Sequence, residues 1–149
     1  MANLTIQTLE LITINGEANR ISNKQIITGV TNISKRTVTC PTGQTTTVAV
    51  FASTVHGADG AIDTENSKYI RVRNLTSGKD VELGVIGAAT NYQVKLAGGH
   101  QHVLGSADDL MLAEEDTDPS FGTMTDVSKI QVRNDSGSNV NVEIFIASA

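Results

Sequence analysis

Two of the three histidines in this 149-residue chain stand together in LAGGHQHVLG, as His100-x-His102. On a β-strand, residues i and i+2 project to one face, so two imidazoles at this spacing can share a metal ion. Asp108 and Asp109 follow, and imidazole with carboxylate is a donor set suited to zinc or iron. The third histidine, His56, lies far upstream and would have to be brought in by the fold. A metal site needs a convergent third group, and the same stretch reads more simply as an Ala97-Gly98-Gly99 turn entering a strand. The expectation is the turn, with no metal and no cofactor.

A His-x-His pair in a β-rich chain resembles the cupins, in which the pair, a following Glu and a histidine from a later strand bind a metal. That pattern has Gly six positions before the first His and Glu four or five after the second. Val94, Ser106 and Ala107 occupy those positions, and no histidine follows His102. A cupin-like metalloprotein is therefore the remotest of three readings.

Other chemistry is thinner still. From Asp59 in DGAIDTE, the sixth and twelfth positions, where an EF-hand needs Gly and a bidentate Glu, hold Thr64 and Ile70. Glu114, Glu115, Asp116 and Asp118 form an acidic run closed by Pro119, which reads as a solvated loop. Cys40 precedes Pro41 with only Lys35 and Arg36 as nearby cations, so it reads as a packed thiol and not a nucleophile. The chain has no G-x-S-x-G elbow, phosphate-cradling Gly loop or H-E-x-x-H helix. Phe51, Tyr69, Tyr92, Phe121 and Phe145 are its only aromatic rings, too few for a stacking surface. The protein is expected not to be an enzyme.

Whatever these residues do, strands must position them. Aromatics are 3% of the chain and Trp is absent, so the core must come from Val, Ile, Leu, Ala and Thr, a set that favours strands. Short apolar runs recur every eight to twelve residues between Gly, Asn, Asp, Ser and Thr, the pattern of an all-β sandwich or barrel. Predicted strands cover 4–14, 25–31, 36–40, 45–52, 69–74, 81–86, 92–96, 102–104, 110–113, 129–134 and 140–147. The chain also echoes itself. YIRVRNLTSGKDVELGV and KIQVRNDSGSNVNVEI share Ile-x-Val-Arg-Asn, a Ser-Gly turn and a following alternation. Both are expected to be β-hairpins with Ile70 and Val72 inward and Tyr69, Arg71 and Arg73 outward, matching parts of a jelly roll.

The first 35 residues differ in texture and are expected to form an N-terminal strand, hairpin or intersubunit arm, ahead of a sandwich domain over 36–149. A net charge of −5 with no Lys/Arg run argues against nucleic acid as a partner. No apolar run approaches the roughly 18 residues of a membrane helix. The N-terminus lacks the basic and apolar regions of a signal peptide, and one cysteine forms no intrachain disulfide, so a soluble protein made in a reducing cytosol is expected.

Over residues 67–149 the segments YIRVRNLTSGKDVELGVIG, YQVKLAGGHQHVLGSADDLML and DVSKIQVRNDSGSNVNVEIFIASA resemble small β-sandwich virion proteins of tailed bacteriophages, the capsid decoration or cement proteins. The resemblance implies an antiparallel jelly roll on the outer surface of a phage head. It also implies a homo-oligomer, a trimer by preference, that clamps neighbouring major capsid subunits. In that setting Leu4, Ile6, Leu9 and Leu11 are the candidate interface to capsid or sister subunit. The competing reading is a head- or tail-fibre module that binds host surface or glycan through the loops His56 to Ser67 and Glu114 to Asp126.

Overall fold

Asn15 and Gly16 both take positive φ, 52° and 84°, which makes a two-residue turn whose twist suits a tight hairpin. In the computed structural model, which describes residues 2–53, 60–88, 90–112 and 123–149, that turn joins two long strands, β1 (Ala2–Ile14) and β2 (Glu17–Val30). Among the described residues they pair only with each other. β2 is twice the length expected for it. The polar stretch from Glu17 to Lys24 shows no apolar alternation, yet the turn holds it opposite β1 and the backbone ladder continues to Ile14↔Glu17.

The remaining strands are β3 (Asn32–Cys40), β4 (Gln44–Ala52), β5 (Ile62–Asp63), β6 (Ser67–Asn74), β7 (Val81–Gly87) and β8 (Asn91–Leu96). They are followed by β9 (Gln101–Leu104), β10 (Met111–Leu112), β11 (Met124–Thr125), β12 (Val127–Asn134) and β13 (Val140–Ser148). One sheet runs β5-β4-β12-β7-β8 and the other β3-β13-β6-β9. β3 pairs with β13, β4 with β12, β6 with β9 and β7 with β8. First strand thus meets last and pairing proceeds inward, so the chain is an antiparallel ribbon rolled into a two-sheet jelly roll. β4 and β5 make a two-residue parallel contact at one edge. β3 starts at Asn32, not Arg36, because β13 runs on to Ser148 and its backbone needs a partner there. Thr31, whose N–H donates to Ser148 O at 2.9 Å, is the junction between hairpin and sandwich.

The two repeats lie differently from the expected hairpins. β6 and β7 belong to different sheets, as do β12 and β13, so each Ser-Gly turn carries the chain across the sandwich. The repeats pair with one another instead: β6 with β13 in one sheet and β7 with β12 in the other. Asn74 and Asn134 sit fully buried at the two equivalent corners. Asn134 donates to Cys40 O (2.7 Å) and Ser138 O (2.9 Å) and accepts from Ser136 N (3.1 Å). Asn74 donates to Lys79 O (2.6 Å) and Leu96 O (3.2 Å) and accepts from Thr76 N (3.0 Å). Each amide satisfies backbone groups at the strand ends and in the turns beyond them, which buried polar groups require.

The expected inward set is correct for the first repeat, with Ile70 and Val72 wholly buried, whereas Tyr69, expected outward and in solvent, is buried too, off the main core and beneath the hairpin. The largest wholly buried side chains are all Ile, Leu or Val, as the scarcity of rings requires. Period-two alternation from both sheets, broken where adjacent residues are both buried as at Val48-Ala49 and Ile146-Ala147, builds this core, with Leu83, Val85, Ile130, Val132, Ile144 and Ile146 among its members.

Candidate functional site

The histidine pair does not form a joint site. β9 begins at Gln101, so His100 lies in the preceding turn, exposed, and the strand rule that would align it with His102 does not apply. The His100 N–H donates to Ala97 O and its carbonyl accepts from Asn74 N, each at 3.0 Å, which fixes the turn. Gly99 takes φ +85° within it. His102 points inward and is half-buried, with Nε2 3.0 Å from the Tyr92 hydroxyl and the two rings edge to face. Burial lowers the His102 pKa and raises that of Tyr92. Both shifts favour the neutral forms, so this is a neutral hydrogen-bonded pair bridging the two sheets.

Asp108 and Asp109 converge not with the histidines but with Asp126, the three carboxylates lying within 4.8 Å of one another and exposed. Desolvation, then the Asp109 and Asp126 charges, push the Asp108 pKa up. Asp109 N donates to Asp126 Oδ1 at 3.2 Å, so the group braces a loop. Cys40 is wholly buried in the core, and burial raises its thiol pKa. His56, Asp59, Phe121 and the acidic residues Glu114, Glu115, Asp116 and Asp118 lie outside the described residues, as do 56–59 of one loop of the fibre reading and 114–122 of the other.

Most of the exposed large hydrophobic side chains among the described residues lie on the hairpin, the others being Ile33, Leu75, Val103 and Met124. Residues paired across an antiparallel ladder share a face, so the register sorts the hairpin into two faces. At its base, Leu4, Ile6, Ile27 and the buried Val30 of the hairpin pack on Tyr69, Ala147 and Phe145 of the sandwich. The floor of this dock is braced: Tyr69 and Phe145 meet edge to face at 6.1 Å, and the Arg71 guanidinium lies 5.5 Å over the Phe145 ring. Glu143 bonds Arg71 at 2.5 Å and Lys35 at 3.3 Å. Burial pushes the Glu143 pKa up, but Lys35 and Arg71 together outweigh it and hold the carboxyl below its usual range.

From Gln7 to Ile26 every hairpin residue is exposed. On the docking face, beyond the sandwich, stand Ile12, Ile14 and Ile21; on the opposite face stand Leu9, Leu11 and Ile26. Leu11 is 69% exposed, and each of the other five lies between 45% and 58%. A two-stranded ribbon in water on both faces is marginal by itself. Six large aliphatic side chains on one are a candidate binding surface. The four expected interface residues are therefore divided: Leu4 and Ile6 are half-buried against their own chain, whereas Leu9 and Leu11 project to solvent on the other face. The signal that separates them is parity. In LTIQTLELITI the apolar residues shift from even positions to odd and back, which no strand buried on one face would do.

No family model matches the chain, and no curated protein matches it. Among solved structures it is similar to a de novo designed double-stranded β-helix determined by solution NMR, at 13% identity and a TM-score of 0.42, covering 77% of this chain and 99% of that one.

Proposed function

We propose that this chain is a non-enzymatic structural protein of a tailed-phage virion, a capsid decoration or cement protein. In this reading it binds the outer surface of the head as a homo-oligomer, preferably a trimer, and its partner is the major capsid protein. The observation that carries the reading is the projecting hairpin with uncovered aliphatic side chains on both faces. A jelly roll whose own core is closed supplies a rigid body, and the hairpin supplies adhesive surface. Cementing needs no more than this. Each copy adds buried interface across a junction between capsomers, and many copies on one lattice sum their contacts against expansion of the head. The sequence resemblance over 67–149 supports the same reading.

The test is to incubate the purified chain with heads stripped of it, sediment them, and then heat them. Saturable co-sedimentation and a higher temperature of head disruption are expected. Absence of binding at any concentration would refute the proposal.

A further inference from the structure

The hairpin's two exposed faces differ in charge. Glu10 is paired with Ile21 and Glu17 with Ile14, so both carboxylates lie among the apolar side chains of the docking face. Arg20 is paired with Leu11 and Lys24 with Gln7, so both cations lie among those of the opposite face. All four are exposed, and no ion pair engages any of them among the described residues. Along the ladder Glu10 and Glu17 stand four steps apart, as do Arg20 and Lys24, about 14 Å in each case at 3.4 Å per step. One face is apolar and acidic and the other apolar and basic, at matching spacing.

We infer that the occupant of this surface is a second copy of the chain: the acidic face of one hairpin lies on the basic face of the next. Such a contact joins two different patches, so it is heterologous and repeats from copy to copy, as a ring where the rotation closes and as an open filament where it does not. Contact between like faces would set carboxylate against carboxylate or cation against cation. Stacking unlike faces covers the aliphatic side chains and pairs the charges together. The inference deepens the homo-oligomer part of the proposed function, from which head binding can be measured separately.

The test is light scattering on size-exclusion chromatography of the full chain over a dilution series, with three variants. The first carries Glu10→Lys and Glu17→Lys, the second Arg20→Glu and Lys24→Glu, and the third all four substitutions. All positions are exposed, so each variant should retain the far-UV spectrum and thermal midpoint of the sandwich. The wild type should be oligomeric. Each double variant should dissociate at about tenfold higher protein concentration or more, since two attractive pairs per interface become repulsive. The quadruple variant exchanges the signs of both faces and should recover to within about threefold of the wild type. Unchanged assembly in the double variants, or no recovery in the quadruple one, overturns the face-to-face pairing. A wild type that is monomeric throughout but binds stripped heads overturns the inference and leaves the capsid reading standing.

Discussion

Replacing Asn134 by leucine is the sharpest test of how the jelly roll turns its corner. The side chain is wholly buried, and its amide serves three backbone groups: Cys40 O, Ser138 O and Ser136 N. Leucine fills the space and serves none of them. The Cys40 carbonyl belongs to a wholly buried residue, and leaving it without a donor costs about 1–3 kcal/mol. Ser136 and Ser138 are half-buried, where water replaces the lost partner in part, at about 0.5–1 kcal/mol each. The sum, about 2–5 kcal/mol, is a large fraction of the roughly 5–15 kcal/mol that holds an ordinary domain together. Urea unfolding followed by circular dichroism should show the midpoint shift with little change in slope. Asn134→Asp adds a signed control. A carboxyl in this corner has its pKa raised in the folded state by burial and by the two facing carbonyl oxygens. Stability is then retained below the unfolded-state value of about 3.9 and lost as pH rises through the folded one, so the aspartate variant should be relatively worse at neutral than at acid pH. A loss below about 1 kcal/mol in the leucine variant would refute the reasoning, because it would mean that the corner finds other partners without cost.

Two further outcomes follow from the turn at 97–100 and the strand after it. A Cβ on Gly98 would stand 2.5 Å from Thr76 O and 2.6 Å from Gly78 N, both backbone, so Gly98→Ala should destabilise by about 2–4 kcal/mol in the same assay. Gly99 has open space but positive φ, so Gly99→Ala should cost only about 1–2 kcal/mol, and the reverse order would contradict the packing at this corner. His102 has a folded-state pKa lowered by burial, so the folded state binds fewer protons than the unfolded one. Stability should therefore fall as pH drops from about 7 to about 5, through the unfolded value near 6.5. His102→Gln, which retains a partner for Tyr92, should flatten that slope in thermal unfolding, and an unchanged slope would assign the pH dependence elsewhere.

Much of the architecture was legible without coordinates. Period-two alternation marks strands because side chains on a pleated backbone alternate faces, and this placed Ile70 and Val72 in the core and Arg71 and Arg73 outside it. Asn15-Gly16 announced its turn because few other residue pairs tolerate two successive positive φ values. Backbone pairing without a side-chain signature was not legible. Glu17 to Lys24 forms a strand only because β1 lies opposite, and Asn32 to Lys35 only because β13 does.

Tertiary structure decided which side chains meet. The local sequence is the same whether a Ser-Gly turn returns within a sheet or crosses to the other, so the choice for 74–81 and 134–140 fell to where β7 and β13 bury their apolar faces. The same limit applies to LAGGHQHVLG. Two imidazoles two residues apart are neighbours only if both lie on the strand, and the strand begins between them, leaving His100 in solvent and His102 against Tyr92. On the hairpin the residue types and parities were present in the sequence from the start. It took the register, set by the turn and carried by backbone hydrogen bonds, to collect Glu10 and Glu17 on one face and Arg20 and Lys24 on the other.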